Sequence, residues 1–374
     1  MEESAKIVYG HYLEVMTVEI DLDAFLVTVY CVVDDLYRLK YAPAKPRRRG
    51  HKDELSDSEV LTLALLAQWQ QSRSESAFVA YVSRFWRQYF PKMLTQSSFN
   101  RRVRDLAGVL CRLGPEVARL TRELLALPVV YEVIDGVPVP LMRRCRGKRH
   151  RLFGAEAAIG RGGSDRDWYY GVELLLAVSR DGQVTGFVFG PADTEERWLA
   201  EALLRWRFNP QAPVPTVAEL VGVLGKKRRN GEPWVGPTGP MFAAGVGEVV
   251  SGLYLGDLGF EGCSWADHWR EDYGAMVLTS ASYDHLAYTP PDPEAASRER
   301  RQARLQLSSL RQVIETVNSC LDGVLGLKFP RARSLWGLLA RIGAKIAALN
   351  LAIHINLLTD RPTFSLFNPL PQCA

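Results

Sequence analysis

The periodicity of apolar residues changes near residue 128, and this change limits the possible folds more than any other feature of the sequence. Before it, apolar residues recur at the spacing of helices. After it, strand-forming runs alternate with helical segments in the order strand, hairpin strands, helix, strand, helix, strand, helix. This order predicts an α/β domain with a mixed sheet flanked by helices, preceded by an all-α domain.

The predicted division places a helical domain at 1–125, an α/β domain at 126–360 and a tail at 361–374. The 374 residues are enough for two domains and at least one sizeable core. In the α/β domain, the run "VVYEVID" is expected to be the central strand. Residues 207–250 are rich in Pro, Gly and basic residues, which predicts a long loop or insertion.

Three helices are predicted in the later part of the helical domain. The first, "LSDSEVLTLALLAQWQQ", opens with Ser56 and Glu59 at capping-box spacing. The second, "SAFVAYVSRFWRQYF", is expected to stop at Pro91. The third, "TQSSFNRRVRDLAGVLCRL", is expected to end at Gly114, a residue type typical of helix C-caps.

The third of these helices carries polar residues near its start. Asn100, Arg101 and Arg104 lie off its apolar stripe. Three short helices of which the last begins with such residues suit a helix-turn-helix arrangement that binds DNA. An ordinary helical bundle with solvated arginines is the alternative interpretation.

Basic residues are concentrated in three runs, although the formal net charge is only +4. The runs are "KPRRRGHK" (45–52), "RRCRGKRHR" (143–151) and "SRERRQAR" (297–304). A single run of this kind is commonly solvated surface or linker. Three of them in one chain favour a polyanionic partner such as nucleic acid.

The cysteines and the apolar segments exclude several classes of protein. The six cysteines are scattered, with no C-x-x-C pair and no histidine at zinc spacing, so neither a structural zinc nor a disulfide framework is expected. The N-terminus lacks the basic start and apolar core of a signal peptide. The C-terminal run "IAALNLAIHINLLT" has 14 residues, fewer than the roughly 20 that a membrane span needs. We therefore expect a soluble, cytoplasmic protein.

Two aspartates each follow a short apolar strand and are adjacent to a glycine. Asp135 closes "VVYEVID", and Asp257 lies in "LYLGDLGF". If the two strands are parallel neighbours, their ends lie about 5 Å apart. Carboxylate oxygens are ligands that Mg²⁺ prefers, so the pair is a candidate metal site. For Asp135 alone, a turn-initiating Asp-Gly is the alternative.

A third acidic residue lies on a long helix predicted at about 298–321. In this helix Arg304, Arg311 and Glu315 fall on a polar face beside an apolar stripe. Arg311 and Glu315 are one turn apart, which by itself predicts a surface ion pair. The functional alternative makes Glu315 a third metal ligand and poises Arg311 for a phosphate.

Together these segments resemble the DDE transposases of bacterial insertion sequences. The resemblance rests on "VIDGVPVP", the hairpin "WYYGVELLLAV…DGQVTGFVFGPAD", "LGDLGF", and "LRQVIETVNSCL" followed by "ARSLWGLLARIGAKIAALNLAIHIN". With the front end "LSDSEVLTLALL…YFPKMLTQSSFNRRVRDL" it covers about 55–358. The catalytic domain of that family has the ribonuclease-H-like fold, so the resemblance implies this fold here.

The resemblance also implies a mechanism and partners. Asp135, Asp257 and Glu315 would be the catalytic residues and would hold two Mg²⁺ ions, with Mn²⁺ as an alternative metal. The activity would be cleavage of double-stranded DNA at the ends of an insertion sequence, followed by attack of the freed 3′-OH on target DNA. A homodimer on DNA, without membrane or small-molecule cofactor and associated with the bacterial nucleoid, is the expected setting.

The residues expected to contact DNA or phosphate come from three segments. The basic run after Asp135 would grip flanking DNA, with a mobile loop as the alternative. The expected set is Arg311, Arg304, Asn100, Arg101, Arg104, Arg143, Arg144, Arg146, Lys148, Arg149 and Arg151.

Some positions depart from the pattern of that family. Ser308 and Asp322 stand where many relatives carry Tyr and Lys, and "GVELL" stands where the hairpin strand often reads Gly-Phe-Lys-Leu-His. A non-catalytic DNA-binding protein derived from a transposase is therefore an alternative function, as is a different nuclease on the same fold. Trp168, Trp265 and Trp269 are interpreted as core residues rather than base-stacking ones.

Overall fold

The structure is a computed structural model, and it describes residues 22–44, 54–70, 74–128, 130–147, 153–162, 167–211, 213, 215–225, 227, 231–233, 235–280, 293–328 and 330–365. The helices longer than one turn in these ranges are α1 (Leu22–Lys40), α2 (Asp57–Trp69), α3 (Glu75–Phe85), α4 (Gln96–Asp105), α5 (Ala107–Leu124), α6 (Glu196–Phe208), α7 (Cys263–Tyr273), α8 (Pro293–Ser319) and α9 (Leu335–Leu358). The strands are β1 (Glu132–Arg143), β2 (Ala158–Gly162), β3 (Asp167–Ser179), β4 (Val184–Pro191), β5 (Phe242–Val246), β6 (Leu253–Leu255) and β7 (Met276–Leu278).

The described residues form two compact units. The helical unit consists of the described parts of Met1–Leu127 and Cys320–Ala374, and the α/β unit of those of Pro128–Ser319. The first boundary lies close to the expected one at residue 125. The second differs, because α9, which we expected in the α/β domain, belongs to the helical unit. Since α9 is apolar on nearly every face, it is buried against α5 and α2 rather than covering one face of a sheet.

Close packing of α5 against α9 organises the helical unit. A Cβ atom on Gly343 would lie 2.7 Å from the backbone nitrogen of Cys111, and one on Gly114 would lie 2.8 Å from Cγ2 of Ile346. Glycine at both positions therefore allows the two helix backbones to approach each other. Asn350 adds a polar contact, donating from Nδ2 to the Gly114 carbonyl at 2.8 Å.

The ends of the helices agree with the sequence in part. Ser56 and Glu59 form the expected capping box at the start of α2. The second predicted helix ends at Phe85, before Pro91. The third is divided at Leu106 into α4 and α5, so the expectation that it ends at Gly114 is wrong. Gly114 lies inside α5, where it serves interhelical packing rather than a C-cap.

The helix α9 has the length and hydropathy of a membrane span. It has 24 residues, more than the 14 of the apolar run noted in the sequence. Of its most apolar 18-residue window, 94% is buried inside the protein. The core helix of a soluble protein shows the same properties, so this helix is weak support for a membrane location.

The α/β unit is built on a mixed seven-stranded sheet in the order β5-β4-β3-β1-β6-β7, with β2 paired to β3. The strand β1 is antiparallel to β3 and parallel to β6, and β7 is parallel to β6. The strands β3, β4 and β5 are antiparallel neighbours. The helices α6 and α8 pack on the sheet. The expected α/β class, a mixed sheet flanked by helices with "VVYEVID" at its centre, is confirmed.

The central strand is longer than expected. It does not end at Asp135 but continues to Arg143 through Pro138 and Pro140, which both pair with β3. The parallel pairing with β6 extends only to Val133. Among the described strands, the second half of β1 thus has a partner on one side only, which is where strand prolines are tolerated.

The segment 207–250 also differs from the expected loop. Its residues Phe242–Val246 form β5, which pairs with β4 at the edge of the sheet. The apolar run "MFAAGV" is short and follows many prolines and glycines, so composition hid a strand that tertiary pairing stabilises.

The α/β core contains two of the three tryptophans interpreted as core residues. Trp265 and Trp269 are buried beside Trp198, whereas Trp168 is 50% exposed, so for Trp168 that interpretation is wrong. Glu201, buried in this core, accepts hydrogen bonds from Trp269 Nε1 at 2.9 Å and Tyr273 Oη at 2.5 Å.

Candidate active site

The sheet register places Asp135 and Asp257 next to each other. Val133 of β1 pairs with Leu255 of β6, and each aspartate lies two residues further along its strand direction. Because the two strands are parallel, both carboxylates lie at the same edge of the sheet, at a strand separation of about 5 Å. The backbone N–H of Gly259 donates to Asp257 Oδ1 at 2.7 Å, which fixes this side chain after the strand.

The helix α8 brings the third predicted segment to the same place. Asn318 donates from Nδ2 to Asp135 Oδ2 at 3.3 Å. On α8, Glu315 lies one turn before Asn318 and Arg311 two turns before it, and both residues act electrostatically on Asp135. Ile314 and Val317 are fully buried and hold α8 on the sheet, as the apolar stripe predicted. Glu315 itself is exposed.

The pKa of Asp135 records this environment. This pKa is raised from 3.8 to about 6, mainly by burial. Arg311 and a hydrogen bond from the Gly136 backbone lower it, and the charges of Asp257 and Glu315 raise it. Asp257 and Glu315 therefore both lie close enough to act on Asp135. A metal site shared by the three stays a prediction.

Two further carboxylates lie in this cluster, and sequence reasoning missed both as site residues. Burial raises the pKa of Glu196 to about 7, and the charges of Asp257 and Asp135 add to the effect. Burial likewise raises the pKa of Glu173 to about 8; Tyr169 Oη donates to it at 2.5 Å, and Glu196 is a charged neighbour.

Two glycines make room for Glu196. A Cβ atom on Gly136 would lie 2.6 Å from Glu196 Oε1, and one on Gly259 would collide with Glu196 Oε2. The glycines that follow the two strand aspartates thus let the carboxylate of α6 reach the sheet edge. Any side chain at either position would displace Glu196.

The sequence contained a signal for only one of these residues. Glu173 is the one charged residue within the apolar run "YYGVELLLAV", which is unusual for a central strand. In the sequence, Asp193 and Glu196 stand at capping-box spacing, which predicts that Glu196 caps the start of a helix. That prediction is wrong, because the N-cap residue of α6 is Glu195, whose side chain forms no capping hydrogen bond, and Asp193 accepts from Thr238 Oγ1 at 2.7 Å.

The chemistry of the donor set fits Mg²⁺. It is rich in carboxylate oxygens, and Asn318 Oδ1 is buried without a hydrogen-bond partner. The carboxylates are not yet close enough together to form a ligand set: among the described residues, no three His, Cys, Asp or Glu side chains are grouped so that they could hold a metal ion. Mg²⁺ commonly takes one or two protein carboxylates, with waters and substrate phosphates filling the other positions.

The structure places the predicted DNA contacts in several settings. Arg304 lies exposed on α8, two turns before the half-buried Arg311, and Arg143 is exposed at the end of β1. In the helical unit, Arg101 and Arg104 are exposed on α4, whereas Asn100 donates from Nδ2 to both oxygens of Glu75, at 3.0 and 2.8 Å. The side chains of Arg144, Arg146, Lys148, Arg149 and Arg151 lie outside the described part of the chain. DNA binding by all of these residues stays a prediction.

Comparisons of the chain with protein-family models, with curated proteins and with solved structures found no match.

Proposed function

We propose that this chain is a DDE-type transposase, which cleaves double-stranded DNA at insertion-sequence ends with Mg²⁺ and transfers the strand to target DNA as a homodimer. One observation carries the proposal. Asp135 and Asp257 stand at equivalent positions on adjacent parallel strands, and α8 brings Arg311, Glu315 and Asn318 to the same edge. Three segments that are distant in the sequence thus converge as the resemblance implied.

The sheet topology supports a ribonuclease-H-like fold as part of this proposal. The antiparallel strands β4, β3 and β1 are followed across the sheet by β6 and β7, both parallel to β1. Asp257 follows the end of β6, and Asp135 lies just beyond the last pair that β1 forms with β6. The carboxyl ends of parallel strands are the usual position of sites in such sheets.

The residues have distinct roles in the proposed reaction. Asp135, Asp257 and Glu315 would hold the metal, which when bound polarises the phosphodiester and activates water. Arg311 would bind a non-bridging phosphate oxygen through its guanidinium. Glu196 can hold or release a proton at its carboxylate near neutral pH, since its pKa is about 7.

Cleavage of the DNA that flanks the coding sequence tests the proposal. The variants Asp135→Ala, Asp257→Ala and Glu315→Ala should each reduce Mg²⁺-dependent cleavage by about 100-fold or more, because each removes a metal ligand. Their DNA binding in chelator should be retained. Asp267→Ala is the matched control, since Asp267 is exposed and pairs with Arg270 on α7. If all three site variants cut like the wild type, the assignment is wrong.

A non-catalytic DNA-binding protein derived from a transposase is the second candidate. Two observations favour it: the described carboxylates do not form a finished ligand set, and Asp322, at a position where many relatives have Lys, pairs with Lys328. In the same assay this candidate predicts that the wild type binds the flanking DNA without cutting it.

A further inference from the structure

A cavity inside the helical unit combines a mostly small and apolar lining with five cationic side chains. It has a volume of about 420 Å³ and lies among α2, α3, α4, α9 and the segment before α9. Arg104, Lys328, Arg331, Arg341 and Lys345 line it, together with the carboxylate Glu75. Lys328 forms an ion pair with Asp322, so its charge is largely compensated. Arg104, Arg341 and Lys345 share the cavity with a single acidic residue of its described lining, Glu75.

The base of the cavity is formed by a buried ammonium. Lys345 is only 8% exposed, and burial lowers its pKa to about 8, with a further decrease from the charge of Arg341. Its Nζ donates to Gln68 Oε1 at 2.9 Å and to the Leu325 carbonyl, both neutral acceptors. An ammonium has three donors, so among the described residues one donor of Lys345 remains for a ligand.

The wall of the cavity carries a guanidinium that is poorly compensated. Nη2 of Arg341 lies 3.8 Å from Glu75 Oε1, beyond hydrogen-bond distance. Glu75 is already engaged, because it accepts from Asn100 and Gln96. Burial lowers the pKa of Arg341, and the positive charge of Arg331 lowers it too, against the raising effect of Glu75. The cationic groups therefore repel one another across the cavity.

Exposure increases from the base to the mouth. Lys345 is buried, Arg341 is half-buried, and Arg104 and Arg331 are exposed. An anion entering from solvent would meet the exposed arginines at the rim first and the buried ammonium last. A ligand that enters must offset the repulsion between these cationic groups. A ligand with concentrated negative charge can do so.

We propose that this cavity binds a phosphate group. Phosphate offers three oxygens and up to two charges, and guanidinium groups bind it with paired hydrogen bonds. The volume exceeds that of a phosphate ion, so the ligand carries its phosphate on a larger body. The phosphate group belongs either to a free phosphorylated small molecule or to DNA. A terminal phosphate of DNA could enter the cavity, whereas its backbone phosphates would reach only the rim.

The inference is independent of the carboxylate site. It concerns the other unit of the chain and requires no divalent cation. Its test can therefore be carried out in EDTA, where a failure of metal-dependent cleavage has no effect on the result.

Phosphate binding by the full-length protein tests the proposal. Inorganic phosphate and a nucleoside monophosphate are titrated against the wild type in EDTA, by calorimetry, at constant ionic strength. A duplex with 5′-phosphates is titrated in parallel with the same duplex lacking them. Arg341→Gln should weaken phosphate binding by about tenfold or more, because it removes a partly desolvated contact. Arg104→Gln and Arg331→Gln, at the exposed mouth, should weaken it by about threefold.

Arg112→Gln is the matched control, because Arg112 is exposed on α5 in the same unit but does not line the cavity. Binding of a small phosphate that falls in the three cavity variants and not in the control supports a small-molecule site. Tighter binding of the 5′-phosphorylated duplex, lost in the same variants, supports a DNA phosphate. No binding of either kind, or equal loss in Arg112→Gln, overturns the proposal. The rim variants keep the test valid if Arg341→Gln fails to fold.

Discussion

A buried histidine in the helical unit links folding to pH. His354 is completely buried in α9, its Nδ1 lies 2.8 Å from Thr121 Oγ1, and its Nε2 has no hydrogen-bond partner. Burial lowers its pKa from 6.5 to about 4. The folded state therefore holds this ring neutral, while the unfolded chain takes up a proton below about pH 6.5.

The stability of the protein should fall as pH decreases from about 6.5 to about 4, by on the order of 3 kcal/mol from this residue. The sign follows because the unfolded state binds the extra proton in this window. His354→Gln should flatten that part of the curve, measured by chemical denaturation at a series of pH values.

His268→Gln serves as the contrasting variant. Burial lowers the pKa of His268, but Glu201 and Asp272 raise it by more, so protonation of this ring stabilises the fold at low pH. Its removal should make the loss of stability on acidification steeper. Equal slopes in the wild type and His354→Gln would contradict the assignment of a neutral buried ring.

At the scale of elements, α5 and α9 can pack closely because glycines lie at their contact. Gly343→Ala should lower the free energy of unfolding by about 1–3 kcal/mol, because its Cβ would meet the backbone of α5 at Cys111, which cannot rotate away. The measurement is urea denaturation of the full-length chain.

Gly108→Ala is the matched control on α5, since no atom lies within 4 Å of the added Cβ. It should leave stability unchanged or raise it by up to about 1 kcal/mol through helix propensity. A Gly343→Ala variant as stable as Gly108→Ala would show that the two helices are not held in close contact.

Elements with a strong local pattern were predictable from the sequence. The capping box of Ser56 and Glu59, the hairpin of β3 and β4 and the apolar stripe of α8 all follow from residues near in sequence. The position of Gly114 inside a helix was not predictable. A glycine that ends a helix and a glycine that allows a neighbouring helix to pack closely cannot be distinguished in the sequence until that neighbour is known. The same holds for β5, which is a strand only because β4 pairs with it.

The candidate site was predictable to a similar extent. Asp135 and Asp257 can each be recognised in the sequence because they follow an apolar run, and parallel pairing brings them together. Glu196 cannot be recognised in this way, since an acidic residue in the first turn of a helix is ordinary. Its role depends on Gly136 and Gly259, which leave space that only the folded sheet reveals.

At the scale of the whole molecule, the candidate active site has the same sign of charge as DNA, the partner that we propose for it. The formal net charge is +4, yet the candidate active site gathers five carboxyl groups, on which the described arginines Arg311 and Arg197 act. The five are Asp135, Asp257, Glu315, Glu196 and Glu173. A DNA phosphate is repelled at this edge of the sheet unless a cation is present. The proposed function therefore predicts opposite effects of the site on DNA binding with and without Mg²⁺.

The triple variant Asp135→Asn, Asp257→Asn, Glu315→Gln should bind DNA about threefold to tenfold more tightly than the wild type in EDTA, because local repulsion is removed. In Mg²⁺ this difference should shrink or reverse, since only the wild type retains the metal ligands. Fluorescence anisotropy with a labelled duplex at one ionic strength measures both conditions.

The control must separate local from overall charge, because neutralising three carboxylates raises the net charge of any variant by three. The triple variant Asp267→Asn, Glu271→Gln, Asp272→Asn makes the same change on exposed positions of α7. If both triple variants bind DNA equally well in EDTA, and Mg²⁺ affects them alike, DNA does not approach the carboxylate cluster. Tighter binding by the site variant alone, abolished by Mg²⁺, would place the phosphodiester at the edge where β1, β6 and α8 meet.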